Sequence, residues 1–180
     1  MSALTIPQPA VFFDRDGVIN QSPGAGYVLS WDDFHFRLGI SEILQLVEDK
    51  EYKAIVVTSQ RCIGKGLISE DEVEDIHDRM QAELAESGPN FEAIYTFTGQ
   101  PTDADWAKPN PDMLYAAARD HHLDLEQSVL IGDRDRDIQM AINANLKDTI
   151  RIRGDAEVNV TPGHIVDDLP QAQAILDSIL

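Results

Sequence analysis

The chain has 180 residues, 43% of them hydrophobic, which is enough apolar material for a packed core and excludes a disordered chain. Lys and Arg total 14 against 32 Asp and Glu, and the net charge of -18 repels nucleic acid and anionic membranes, so an anionic substrate has to meet a local cluster of positive charge or a metal. Cys62 is the single cysteine, which excludes an intramolecular disulfide framework and a multi-cysteine zinc site and suits the cytoplasm, and neither a secretion signal at MSALTIPQPA nor an apolar run of membrane-spanning length is found.

Residues 10–13 (AVFF) form an apolar run of strand length that stops at Asp14-Arg15-Asp16-Gly17, so two carboxylates are delivered where a buried strand leaves the core. A carboxylate there is poorly solvated unless something binds it. Mg²⁺ or a phosphoryl group would stabilise the pair, and Gly17 permits a tight turn that folds Asp16 back over Asp14. The same residues also suit an ordinary turn at a strand end. Residues 20–36 are polar, aromatic and rich in Gly and Pro, long for a connection without structure. They are expected to lie over the strand ends, with Tyr27, Trp31, Phe34 and Phe36 burying the loop or shaping a substrate mouth.

Ile40, Ile43, Leu44 and Val47 make the apolar stripe of a helix over 40–50, with Ser41 as its cap. A second strand, 53–58 (KAIVVT), ends in Thr58-Ser59-Gln60-Arg61 and repeats the design of the first. The hydroxyls and N–H groups of Thr58 and Ser59 suit phosphate oxygens, and Arg61 and Lys65 add positive charge that this acidic chain rarely clusters. Gly64 and Gly66 flank Lys65 without the spacing of a nucleotide-binding P-loop. Residues 69–86 read as a long amphipathic helix with a Ser69/Glu72 capping box and Val73, Ile76, Met80 and Leu84 facing inward.

A third strand is expected over 91–98 and a loop over 99–106. Prolines on either side then fix Lys108 just before a helix over 111–122, as a candidate positive charge for phosphate and carboxylates together. The fourth strand, 127–132 (QSVLIG), delivers Asp133, with Asp135 and Asp137 close behind. Asp133, Asp14 and a backbone carbonyl would suit Mg²⁺, which prefers few protein carboxylates and several waters. Three roles fit Asp137: orienting Lys108, orienting a metal-bound water, or favouring the positive helix N-terminus. A helix over 135–144, strands over 149–153 and near 165–166, and a closing helix over 169–180 complete the chain. His35, His77, His121, His122 and His164 lack metal-ligand spacing and are assigned to surface or packing.

Strand and helix alternate throughout, which predicts one α/β domain over residues 1–180, a doubly wound, mostly parallel sheet with its site at the C-terminal strand ends. Asp14-Arg15-Asp16-Gly17, Thr58-Ser59, Lys108-Pro109 and Gly132-Asp133 with Asp137, in that order, resemble the haloacid dehalogenase (HAD) superfamily of phosphohydrolases. Residues 14–20 with Gly26-Tyr27-Val28 look most like its heptose bisphosphate phosphatase and histidinol-phosphate phosphatase branch. The resemblance implies a Rossmann-like phosphatase that works through an aspartyl phosphate, with Asp14 as nucleophile and Asp16 as general acid and then base. It implies Asp14, Asp16 and Asp133 at Mg²⁺, and Thr58, Ser59 and Lys108 on the transferred group, with Asp137 in support. Asp16 is expected to start protonated, its pKa raised by a neighbouring carboxylate. The branch's usual Cys/His zinc loop has no counterpart in 99–106, which argues against structural zinc. Ala107 replaces an arginine and Ser59-Gln60-Arg61 replaces Asn-Gln-Ser, so Arg61 and Lys65 are candidates to supply the missing anion-binding charge.

No segment is large enough for a separate cap domain, so loops 20–36 and 99–106 are expected to roof the site. The substrate expected is a small phosphorylated metabolite such as a sugar phosphate, with no nucleic-acid or membrane partner, and nothing in the sequence marks a subunit interface. A histidinol-phosphate phosphatase or a phosphotransferase would use the same first half-reaction. A receiver-like signalling domain also combines Asp, Thr and Lys, but it places its phospho-accepting Asp on a middle strand and lacks an acid two residues later.

Overall fold

The computed structural model describes residues 6–180; the expectation made on MSALTIPQPA falls in part on residues 1–5, which lie outside the described residues. Six strands, β1 (Ala10–Phe13), β2 (Lys53–Ser59), β3 (Ala93–Phe97), β4 (Val129–Gly132), β5 (Asp148–Ile152) and β6 (His164–Val166), form one sheet in the order β3-β2-β1-β4-β5-β6. Every pairing is parallel, so the expected mostly parallel sheet is parallel throughout. Helices α1 (Ile40–Asp49), α2 (Glu70–Ser87), α3 (Asp112–His121), α4 (Asp135–Asn143) and α5 (Leu169–Ile179) cover both faces.

Period-two alternation along the strands divides the core. Val11, Phe13, Val56, Val129 and Ile131 pack with the inner faces of α1, α2 and α5. Ala10, Phe12, Ile55, Val57 and Leu130 pack with Met113 and Leu114 of α3 and Met140 and Ala141 of α4. Burial on both faces is the reason β1, β2 and β4 read as continuous apolar runs, with Phe12 and Phe13 fully buried. Each such side chain contributes roughly 1.5–3 kcal/mol to the fold.

The chain runs outward from β1 through β2 to β3, then returns to lay β4 on the other side of β1. Phe13 pairs with Val56 on one flank and Ile131 on the other. This reversal leaves a crevice beyond the C-terminal ends of β1 and β4, where open α/β sheets bind ligands. At α2, Ser69 and Glu72 form the expected capping box. At α1 the N-cap is Gly39, while the Ser41 hydroxyl lies in the first turn and bonds that of Ser87 at 3.2 Å. Among the described residues, no helix is long and apolar enough to cross a membrane.

Candidate active site

The Asp14 backbone N–H donates to the Ile131 carbonyl at 3.0 Å, which extends the contact of β1 with β4 by one residue and places the Asp14 side chain at the sheet's end. Gly17 then turns the chain with a φ of 89°, and a Cβ at that position would collide with the Asp133 carboxylate. Gly132 likewise leaves room for Asp137, whose Cβ occupies the space a side chain would need. Two acidic strand ends therefore interlock through two glycines.

Lys108, with no exposed side-chain surface, reaches between them: its Nζ donates to Asp14 Oδ1 at 2.9 Å and to Asp137 Oδ1 at 2.7 Å. Asp137 Oδ2 accepts the Arg134 backbone N–H at 3.0 Å, so Asp137 both orients Lys108 and satisfies the start of α4, two of the roles open to it. Asp14, Asp133 and Asp137 present oxygens within 4.8 Å of one another. Burial, reinforced by Asp137 and Asp133, pushes Asp14 up to about 7 against the pull of Lys108. Burial and Asp137 push Asp133 up to about 6, opposed by Arg134 and Lys108. Burial by itself would lower Lys108, but Asp137 and Asp14 more than offset it and hold the ammonium above its ordinary value.

The Asp16 carboxylate, expected among the metal ligands, stands outside that cluster. Its Oδ1 accepts from Asn20 Nδ2 at 3.0 Å and Arg15 Nη2 at 3.1 Å, and its Oδ2 from Gln60 Nε2 at 2.9 Å. The expected rise in its pKa is also corrected. Burial does push the group up, but the Arg15 charge and the hydrogen bonds from Gln60, Asn20 and Arg15 outweigh it and leave Asp16 below its ordinary value. Successive side chains of the 14–16 turn face different partners, so Asp16 answers to Arg15 rather than to Asp14.

Sequence reasoning missed the residues that produce this. Arg15 is completely buried, as are Gln60 and Asn20. Arg15 Nη2 also donates to Gln60 Oε1 at 2.9 Å, and Nη1 lies 3.1 Å from His77 Nε2 on α2. A signal for His77 was present, because it falls on the inward stripe of Val73, Ile76 and Met80 and is itself buried. Arg15, between two acids in a turn, offered none.

Thr58 is buried at the end of β2, where its Oγ1 accepts from Gln60 Nε2 at 2.8 Å and keeps its own hydrogen to donate. The buried Ser59 Oγ and Asn20 Oδ1 have no hydrogen-bond partner. Arg61 is exposed and its guanidinium lies 5.4 Å from the centre of the Phe97 ring, while Lys65 lies 5.1 Å from that of Tyr27 in the 20–36 loop. That loop is held by its aromatics: Trp31 stacks on Phe34 at 5.0 Å and Phe36 meets Phe34 edge-on at 5.1 Å.

Comparison with known proteins gives the family. The HAD-hydrolase-like family profile matches residues 105–172. The chain is 37% identical over 151 residues to a D-glycero-alpha-D-manno-heptose-1,7-bisphosphate 7-phosphatase of Burkholderia mallei, covering 79% of each chain. It is 35% identical over 143 residues to a D-glycero-beta-D-manno-heptose-1,7-bisphosphate 7-phosphatase of Helicobacter pylori, covering 78% of this chain and 82% of that one. The crystal structure of a D,D-heptose 1,7-bisphosphate phosphatase from B. bronchiseptica, complexed with magnesium and phosphate, superposes with a TM-score of 0.85 at 26% identity over 96% of this chain and 100% of that one. With these relatives and this sheet, the chain belongs to the phosphoric monoester hydrolases of the HAD superfamily, in the heptose bisphosphate phosphatase branch.

Proposed function

We propose that residues 1–180 act as a single cytoplasmic hydrolase domain that removes phosphate from a small sugar phosphate through an aspartyl phosphate at Asp14, with Mg²⁺ as cofactor. Heptose 1,7-bisphosphate is the substrate that the relatives' names support. One observation carries the chemistry: Lys108 bonds Asp14 and Asp137 at 2.9 and 2.7 Å, so the end of β1, the segment before α3 and the first turn of α4 meet around one buried carboxylate. The enzyme class leaves the receiver-like reading without support.

The donor set fits a divalent cation. Buried oxygens of Asp14, Asp133 and Asp137 lie within 4.8 Å of one another, and burial pushes Asp14 and Asp133 up, the condition that a dication relieves. Asp14 and Asp133 would hold the metal with a backbone carbonyl of the 14–17 turn, Asp137 having both its oxygens engaged, by Lys108 and by the Arg134 N–H. When bound, Mg²⁺ would keep both carboxylates ionised and neutralise phosphoryl charge.

An Asp14 oxygen attacks phosphorus and the bond to the leaving alcohol breaks. Asp16 gives the leaving-group oxygen a proton, then takes one from the water that cleaves the phosphoaspartate, releasing inorganic phosphate and restoring both carboxyl groups. The resting turn holds Asp16 ionised, as the second step requires. A phosphate dianion arriving beside it favours the protonation needed for the first. Lys108, the Thr58 hydroxyl and the Ser59 Oγ supply hydrogen bonds to the transferred oxygens.

A bisphosphate needs a place for its second anion. The 100–106 segment with Glu70 and Asp112 lines an acidic pocket of about 470 Å³ that repels phosphate. Arg61 and Lys65 lie against aromatic rings, with no carboxylate paired to either side chain among the described residues. These two cations hold the non-reacting phosphate. Phosphate release from sugar mono- and bisphosphates, with and without Mg²⁺, tests the reading. Asp14→Asn should abolish turnover, and Arg61→Ser should raise KM for the bisphosphate more than for a monophosphate. Full activity of Asp14→Asn removes the catalytic assignment, and equal effects on both substrates remove the second-anion role.

A further inference from the structure

Asp16 is reached by a chain of hydrogen bonds, buried from His77 to Gln60 and part-buried at Asp16 itself, that starts on a helix outside the catalytic crevice. The guanidinium of Arg15 can only donate, so its contact with His77 makes Nε2 the acceptor and leaves the ring neutral with its hydrogen on Nδ1. From the same guanidinium, Nη2 donates to Gln60 Oε1 at 2.9 Å and Asp16 Oδ1 at 3.1 Å, and Nε donates to Asp16 Oδ1 at 3.3 Å. The Gln60 amide, its oxygen occupied by Arg15, must turn Nε2 outward, where it donates to Asp16 Oδ2 at 2.9 Å and Thr58 Oγ1 at 2.8 Å. The amide orientation follows from the donors around it: exchanging its O and N would set Arg15 against an NH₂ group and Asp16 against a carbonyl.

We propose that His77 is a positioning residue for proton transfer, acting through Arg15 and Gln60 to aim the Asp16 carboxyl. The proposal rests on Asp16 as the acid and base of the reaction, and nothing in the relatives' names bears on it. His77 and Arg15 are buried on all sides, with 6% and 0% of their surface exposed, so neither can turn to water if the other is lost. His77 is held on the inward stripe of α2, an 18-residue helix capped at Ser69 and packed on the sheet, so a rigid element supplies the reference point. Without the acceptor on His77, Arg15 has to shift to satisfy Nη1. Asp16 and Gln60, which share its other nitrogens, shift with it. Thr58 is the last link, so the hydroxyl offered to the phosphoryl group is coupled to the same chain.

Misplacement of a proton donor has a signature that general loosening lacks. The less stable the leaving alkoxide, the more its departure depends on being protonated, so an enzyme with a misaimed acid loses most on alkyl esters and least on aryl esters with acidic leaving groups. The value of kcat/KM reports the step that forms the phosphoenzyme, and its logarithm against leaving-group pKa gives a slope. That slope should be shallow for the unaltered enzyme and steep for Asp16→Asn. His77→Leu should steepen it toward Asp16→Asn, with kcat/KM on alkyl phosphates reduced about 10- to 100-fold, the scale of a small misalignment. His77→Gln, whose amide oxygen can stand in for Nε2, should return the slope to nearly that of the unaltered enzyme. Gln60→Met cuts the chain one link nearer Asp16 and should steepen the slope even if His77→Leu does not fold.

A uniform fall on all esters with unchanged slope in both His77→Leu and Gln60→Met overturns the positioning role and leaves packing in its place. If Asp16→Asn itself keeps the shallow slope, the acid assignment fails first and the proposal falls with it, a result distinguishable because the His77 and Gln60 variants are then irrelevant to the slope.

Discussion

Replacing Lys108 by methionine tests the electrostatics of the site most directly, because methionine keeps the apolar stem and deletes only the charge. The Lys108 side chain is 0% exposed, and the Asp14 and Asp137 side chains it joins are 6% and 0% exposed. Removing one member of a buried ion pair costs about 3–5 kcal/mol, because the charge left behind has neither a partner nor water. The cost depends on pH. Asp14 already stands at about 7 with Lys108 pulling it down, against 3.8 for an ordinary aspartate, and without the ammonium it rises further. A carboxyl whose folded pKa lies above its unfolded one loses stability as pH climbs from the lower value through the higher, at about 1.4 kcal/mol per pH unit. The deficit of Lys108→Met is therefore larger at pH 8 than at pH 5, where Asp14 is protonated in both proteins. Urea unfolding without metal, followed by the fluorescence of Trp31 and Trp106, measures both values. A deficit below about 1 kcal/mol, or one equal at the two pH values, refutes this account.

Magnesium should raise the melting temperature more at pH 8 than at pH 5, since Asp14 at about 7 and Asp133 at about 6 have to lose protons to bind it. At 100 times its Kd the ion adds about 2.7 kcal/mol, and a gain independent of pH in calorimetry contradicts the ligand assignment. His77 is pushed down to about 3 by burial and then by Arg15, below its ordinary 6.5. The unfolded chain takes up a proton that the folded one refuses, so stability falls as pH drops below 6.5. Relative to His77→Gln, the unaltered protein should lose about 2 kcal/mol between pH 6.5 and 5, and parallel denaturation curves exclude it. Gly17→Ala puts a side chain at a φ of 89° and against the Asp133 carboxylate. Its turnover should drop at least about 100-fold, and activity within threefold of the unaltered enzyme shows that the turn can relax.

The boundary of legibility falls between local pattern and long-range partnership. The capping box of α2, the continuous apolar runs of β1, β2 and β4, and polar clusters at successive strand ends could all be read from neighbouring residues, because backbone propensity, period and burial on both faces leave local marks. Asp14 and Asp133, whose oxygens come within 4.8 Å of each other, were legible for the same reason, each standing where an apolar run stops. Asp16 was misjudged. In sequence its nearest relevant neighbour is another carboxylate, whereas in space its partners are Arg15, Asn20 and Gln60, the last 44 residues away.

His77 is 62 residues from Arg15, and its role exists only because α2 packs on the sheet beside the 14–17 turn. Local pattern thus carries the elements, the chemistry offered at each strand end and the enzyme class they imply. The order that sets β1 between β2 and β4, the Lys108 bridge from Asp14 to Asp137, and the aim of each carboxyl of the 14–16 turn come from the folded chain. The physical reason is that charge in a buried site is set by desolvation and by the few groups within hydrogen-bond reach, and chain folding chooses both.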